Sequence, residues 1–300
     1  MTLRLGVDLG GTKTEIIALR QDSEDVLIRR RISTMRTYEG VIRGIKELVD
    51  GAEAELGEKG TVGVGIPGAI SPATGLVKNA NSTWIIGHQL DKDLAEALGR
   101  PVRIKNDADC LALSEATDGA GAGYDSVWAV ILGTGAGSGI VVRKRLLEGP
   151  NAIAGEWGHN ALPYMTDQER KDNPCYCGRS GCIEKMVSGT GLMNDYERET
   201  GVRKTGAEIA EAAANGEEAA ETVMQSYEDR LARATAGVIN ILDPHIVVLG
   251  GGVSNIDRLY DSLPRLWPKY VFSDTVRTKL AKAKYGDSSG VRGAAWLWND

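Results

Sequence analysis

Four side chains between positions 159 and 182 restrict how this chain can fold: His159, Cys175, Cys177 and Cys182. Three thiolates and one imidazole are the donor set of a tetrahedral zinc whose four protein ligands leave no position open for catalysis. Gly178 and Gly181 let the short cysteine loop fold back on itself, because glycine takes positive φ without steric cost. The plainer alternatives are incidental thiols or a disulfide. Three of only four cysteines fall between 175 and 182, which argues against chance. The Cys-x-Cys spacing is tighter than the gap usual at zinc, so the match to general spacing is imperfect. A structural zinc is expected. Cys110 stands alone and is expected to be a small buried apolar residue. Glu156 and Glu184 lie three and two residues from ligands, so a metal would draw both carboxylates into one neighbourhood, fit for a polar, hydroxyl-rich ligand.

The 300 residues are enough for two domains of ordinary size, and 42% hydrophobic with 25% charged residues is the composition of a globular protein. A net charge of −6 argues against sequence-independent binding to nucleic acid. Arg4 and Asp8 interrupt the first apolar stretch, so no signal peptide is read there. The charge-free run 126–142 is shorter than the roughly 20 residues a membrane helix needs and is broken by glycines. Thiols arranged for metal rather than as a disulfide framework place the chain in the cytoplasm.

Apolar periodicity predicts strands over 3–9, 14–19, 26–32, 61–66 and 102–105, with a helix over 38–56 whose buried face carries Val41, Ile45, Leu48 and Val49. A helix is predicted from Ala108 to about Asp118. The second half opens as the first does, with a strand over 126–132, a glycine turn and a returning strand over 139–143. This strand–glycine turn–strand unit recurs roughly 120 residues later, which hints at two related domains. A long helix from about Glu217 should stop at Asp243-Pro244, as proline demands. A buried strand over 245–249 follows, and 290–298 reads as a closing helix whose aromatic face packs on the first domain.

Gly10-Gly11-Thr12-Lys13, Gly133-Thr134-Gly135 and Gly250-Gly251-Gly252 each follow an apolar strand. Glycine there lets backbone N–H groups approach phosphate oxygens closely, and threonine adds a donor. One such turn is weak evidence, since many strands end in glycine for conformational reasons alone. None has P-loop spacing, and none has the spacing of a dinucleotide fingerprint. Three of them, with Asp8 before the first, suit a nucleoside triphosphate whose Mg²⁺ Asp8 holds through water. Asn106-Asp107 lies where a strand gives way to a helix. It reads as an N-cap, or as a general base with a hydrogen-bonding neighbour.

These motifs, together with Gly65-Ile66-Pro67-Gly68, Asn106-Asp107-Ala108, Gly155-Glu156-Trp157-Gly158-His159 and the run from Cys175 through Glu184, stand in the order of a known family. Over essentially its full length the chain resembles the ROK family of sugar kinases, most closely the bacterial fructokinases of manno(fructo)kinase type. The resemblance implies an α/β, actin/hexokinase-like (ribonuclease H-like) fold of two lobes with ATP and sugar in the cleft between them. The lobes are expected at 1–117, joined by the C-terminal helix 289–300, and at 118–288 with the zinc loop. It implies Asp107 as the base that activates the primary hydroxyl of a hexose, most readily the 6-hydroxyl of fructose. Glucose, mannose and N-acetylhexosamines are the alternatives on the same scaffold, and a non-catalytic sugar sensor is the alternative of another class. Gly68, Asn81, Asn106, Glu156, His159 and Glu184 would contact the sugar, with His159 serving zinc through one nitrogen and sugar through the other. Asp8, Gly10, Gly11, Thr12, Lys13, Gly133, Thr134 and Gly135 would serve the phosphates and Mg²⁺, and Gly250, Gly251 and Gly252 the adenosine. The family implies a homodimer. Its repressors carry a winged helix ahead of the kinase part, for which a first strand at Leu3 leaves no room. One departure is Asp109, where the family has Asn. A carboxylate there would repel phosphate if it faced the cleft, and is expected instead to begin the helix and face away.

Overall fold

The computed structural model describes residues 3–20 and 25–298. The chain begins as β1 (Leu3–Leu9), β2 (Lys13–Arg20) and β3 (Val26–Ser33). α1 (Tyr38–Leu56) follows, capped by Thr37, whose side chain accepts from the Gly40 N–H, and ended by Gly57 in the left-handed region. Its buried face includes Val41, Ile45, Leu48 and Val49, as the periodicity predicts. Next come β4 (Thr61–Ile66), the short pair β5 (Ala69–Ile70) and β6 (Val77–Lys78), α2 (Leu90–Leu98), β7 (Val102–Asn106) and α3 (Asp107–Thr117). β1 pairs antiparallel with β2 and β2 with β3, whereas β1–β4 and β4–β7 are parallel, giving the order β3-β2-β1-β4-β7.

The second sheet is built from β8 (Ser126–Leu132), β9 (Ala136–Val142), β10 (Arg145–Leu146), β11 (Ile246–Gly250) and β12 (Lys279–Lys282). Its order is β10-β9-β8-β11-β12, the first sheet's order repeated strand for strand. The recurrence read in the sequence is therefore a duplication of topology. Between β10 and β11 the chain forms α4 (Asp167–Asp172), α5 (Ile183–Val187), α6 (Gly189–Thr200), α7 (Gly206–Ala214) and the 25-residue α8 (Glu218–Leu242). α8 ends at Asp243, left-handed at φ 45°, before Pro244. α9 (Arg258–Leu266) precedes β12, and α10 (Ser289–Ala295) runs into a single 3₁₀ turn over Trp296–Trp298.

Contacts group the chain into two units. One holds the residues up to Gly123, Gly139–Ala154 and the segment from Asp287 on; the other holds Tyr124–Ser138 and Gly155–Gly286. Where the sequence reading divides the chain at 117/118 and 288/289, residues 118–123 and 139–154 thus group with the first unit. The closing segment packs as expected: Val291, Ala294, Ala295 and Trp296 join a buried cluster with Cys110 and Leu113, and the Trp298 indole donates to the Val62 carbonyl at 2.7 Å. Of the expected segment 289–300, the last two residues lie outside the described ones. This packing needs glycine on both sides. A Cβ on Gly63 of β4 would lie 1.9 Å from the Ala294 carbonyl, and one on Gly293 would lie 1.6 Å from the Cys110 carbonyl. Cys110 is fully buried, as read from the sequence.

Candidate active site

In the first unit the motifs gather at the C-terminal ends of β1, β4 and β7. Asn106 closes β7 and caps α3: its Oδ1 accepts from the Ala108 N–H at 2.9 Å, and its Nδ2 donates to the Gly68 carbonyl at 3.0 Å. The N-cap reading is therefore correct, and the same amide fixes the turn after β4. Gly68 sits at φ 79°, and a Cβ there would lie 2.3 Å from the Lys78 carbonyl. Asp107 is the first residue of α3 and is exposed, and its Oδ1 also accepts from the Ala108 N–H at 2.8 Å. Asp109 lies in the same first turn, where the helix dipole favours negative charge. Asn81 is exposed on the loop before the turn at Thr83–Ile85, whose Ser82 side chain lies beside Gly11.

Asp8 is half-buried near the end of β1. Burial pushes its carboxyl up to about 7, and the charges of Asp107 and Glu15 push the same way against Arg31. Its oxygens have no hydrogen-bond partner among the described residues, so a hydrated Mg²⁺ fits as the missing positive charge. The adjoining turn is closed by the Gly10 N–H on the Lys13 carbonyl at 2.9 Å and braced by Thr34, whose hydroxyl donates to the Gly10 carbonyl at 2.8 Å. The second unit repeats this device. The Gly133 N–H donates to the Gly135 carbonyl at 3.0 Å, and the Gly133 carbonyl accepts from the Gly189 N–H at 2.7 Å. In both turns the first glycine's N–H is used internally. The N–H groups of Gly11 and Thr12, and of Thr134 and Gly135, have no partner among the described residues. Gly250 ends β11, Gly251 lies at φ 79°, and a Cβ on Gly252 would meet nothing within 4 Å.

The second unit also brings together the residues around the expected zinc. One ligand atom from each of His159, Cys175, Cys177 and Cys182 lies within 4.8 Å of the others. Cys177 Sγ is 3.5 Å from Cys182 Sγ, and Cys175 Sγ is 3.8 Å from His159 Nδ1. Bonds of about 2.3 Å to sulfur and about 2.0 Å to nitrogen give tetrahedral edges of roughly this length, so the donor set fits zinc. Glu184, on the first turn of α5, accepts from the Ala136 N–H at 3.1 Å. Its carboxylate crosses the glycine turn so closely that a Cβ on Gly135 would lie 2.6 Å away. Glu156 is exposed just before the turn that carries His159.

The sequence alone assigns Tyr176 no role. Its hydroxyl lies 3.0 Å from His159 Nε2, and the two rings meet edge to face. Partial burial of the hydroxyl, then the charges of Glu184, Cys175 and Glu156, push it up to about 12. The imidazole nitrogen away from the thiols, expected to face sugar, is thus held by Tyr176. A tyrosine flanked by two metal ligands was the available signal.

A family profile described as ROK family matches residues 4–300. The N-acetyl-D-glucosamine kinase of Vibrio cholerae serotype O1 is 39% identical over 97% of this chain and 98% of its own length. The solved ROK hexokinase of Thermus thermophilus superposes with a TM-score of 0.86 at 29% identity, covering 98% of this chain and 97% of that one. A ROK family glucokinase of Streptomyces griseus, solved with glucose and AMPPNP, gives a TM-score of 0.78 at 26% identity over 98% of each chain.

Proposed function

The chain belongs to the ROK family, and on that premise we propose that it is an ATP- and Mg²⁺-dependent kinase of N-acetyl-D-glucosamine, phosphorylating its 6-hydroxyl. That it is a sugar kinase with a hydroxyl acceptor follows from the family and its named relatives. The choice of sugar is carried by one observation, the 39% identity along 97% of the chain to a kinase named for that sugar. The fructose preference expected from the motifs finds no support among these relatives, and the acetylated hexosamine stood among the alternatives.

In this reading Asp107 accepts the proton of the attacking hydroxyl as the γ-phosphoryl group transfers. Asn106 acts on it through the backbone, since one amide holds both the start of α3 and the turn at Gly68. Glu156 and Glu184 are the acceptors offered to the sugar hydroxyls, while His159 serves the zinc. Tyr176 keeps the His159 ring oriented from its free side. The unpartnered N–H groups of Gly11, Thr12, Thr134 and Gly135 suit phosphate oxygens, and the 250–252 glycines suit the adenosine. Mg²⁺, when bound near Asp8, supplies charge neutralisation to the phosphates. Zinc, when bound by His159, Cys175, Cys177 and Cys182, fixes the loop that carries Tyr176 and leads into α5. Cytoplasmic placement belongs to the same reading. So does a homodimer, for which the fully exposed Phe272 and the 89% exposed Ile241 offer apolar surface. No helix among the described residues is long and apolar enough to cross a membrane.

The test is ADP release with Mg-ATP against N-acetylglucosamine, N-acetylmannosamine, glucose, mannose and fructose. The expected outcome is the highest kcat/KM on N-acetylglucosamine. A higher value on fructose overturns the sugar assignment and keeps the chemistry, and no turnover on any of them overturns both.

A further inference from the structure

A cavity of about 680 Å³ is lined by residues of the first unit, among them Arg103, Ile104 and Lys105 of β7 and Leu113 of α3. Its floor is apolar, from Ile104, Leu113 and Leu297, and its rim carries four cations, Arg103, Lys105, Lys144 and Arg145. The rim's one carboxylate, Glu148, is paired with Lys105 at 2.8 Å. Arg103 is held in place by the Leu297 carbonyl at 2.7 Å and by the Trp298 ring beneath it. Lys144 and Arg145 have no ion pair or side-chain hydrogen bond among the described residues.

Two independent features say what this cavity lacks. Trp296, which lines it, is 5% exposed, and its indole N–H has no acceptor among the described residues. A buried donor without a partner is costly, and the indole nitrogens of Trp84, Trp128 and Trp157 stand in the same state. The second is the hairpin that delivers the cations. Arg145 pairs with Val142, leaving Arg143 and Lys144 as a two-residue loop at φ 50° and 65°. Positive φ at both positions is the geometry that Asn-Gly fills readily, and that longer side chains adopt only under strain. Here both positions are basic, and the second of them, Lys144, lines the cavity beside Arg145. Apart from the paired Glu148, every charged or polar side chain on the lining is a donor. The ligand that satisfies it bears acceptors and negative charge, and the volume suits a phosphorylated monosaccharide.

We propose that this cavity is a second binding site of the protein, taking a small molecule through its phosphate group on the Lys144–Arg145 hairpin. A phosphate ester and free phosphate share that chemistry. Titration calorimetry on the full chain, with N-acetylglucosamine 6-phosphate, inorganic phosphate and uncharged N-acetylglucosamine, separates them. The double variant Lys144→Gln/Arg145→Gln should weaken one phosphate-dependent binding step by about tenfold or more, as expected for two lost charge-assisted hydrogen bonds. Binding of the uncharged sugar should stay unchanged. If only the ester shows that step the ligand is a sugar phosphate, and if both do, phosphate alone suffices. A second variant, Arg143→Asn/Lys144→Gly, should raise the melting temperature while weakening the same step, which distinguishes loss of the site from loss of the fold. Phosphate binding unchanged in both variants, or absent in the wild type beyond a single site that the hairpin does not affect, overturns the proposal. None of these readouts requires turnover, so failure of the kinase assignment would be seen separately.

Discussion

Asp107 is where local backbone structure and chemistry meet most directly. As the first residue of α3 it sits at a helix N-terminus, and it remains exposed and so open to a ligand. Asp107→Asn keeps the shape and removes the base, so turnover should fall by roughly 10²–10⁴-fold with the sugar KM little changed. Steady-state kinetics with the preferred sugar check this, and wild-type turnover would remove the assignment. Asp8 is half-buried, and its carboxyl is raised to about 7 by burial and by Asp107 and Glu15. Between about pH 4 and 7 the folded protein keeps a proton that the unfolded chain has released, so this residue's share of stability declines as pH rises through that window and is constant above it. Asp8→Asn should therefore unfold at higher urea than the wild type at pH 8 in the absence of Mg²⁺, by roughly 2–4 kcal/mol, with a smaller difference at pH 5. The same variant should lose most of its turnover. Equal stability of the two proteins at pH 8 would show that Asp8 is not strained by its neighbours.

At the scale of elements, α4 shows how the segment between His159 and Cys175 is held. Thr166 and Glu169 form a capping box, and Glu169 also meets Arg230 at 2.9 Å and Arg233 at 2.7 Å on α8. Burial pushes the Glu169 carboxyl up, but Arg233, the Thr166 N–H and Arg230 together bring it down to about 2. Its contribution is present above the ordinary carboxylate range and is lost as pH falls through that range towards 2. Glu169→Gln should cost about 1–3 kcal/mol at pH 7, less near pH 3, and should speed zinc loss to a chelator, followed with a colorimetric zinc indicator. Unchanged zinc release would mean that α4 does not support the metal loop. Legibility in the sequence followed how much of its own burial an element encodes. β1, α1, β4 and α8 are long or strictly patterned, and their bounds were read to within a residue or so. α7 buries only Ile209 and Ala213 among alanines, α6 opens with Gly189 and Gly191, and α9 contains Pro264, so each depends on neighbours for its shape. β12 is a short edge strand, Lys-Leu-Ala-Lys, with no buried residue. Among site residues, the clustering of His159, Cys175, Cys177 and Cys182 was legible because three cysteines and a histidine so closely spaced are rare. Tyr176 and the cationic hairpin were not, because only the folded chain shows what a common residue touches.

Across the whole molecule, the two sheets share one strand order but differ in what stabilises them. The second unit contains His159, Cys175, Cys177 and Cys182, the donor set that fits zinc; the first contains none of them. Stripping zinc should therefore lower one calorimetric transition by several degrees and leave another in place, with the lowered one recovering when zinc is restored. A melting profile indifferent to chelation would remove zinc from the account of stability. The first unit has a dependence of its own. Its sheet is complete by Asn106, but α10, which covers Gly6 and Gly63 and encloses Cys110, is at the other end of the chain. During synthesis the N-terminal half therefore leaves the ribosome with an apolar face uncovered, while the strands and helices of the second unit are already complete behind it. The half of the chain made first is the half that finishes folding last, and a nonsense codon ahead of Ser289 would damage the beginning of the protein.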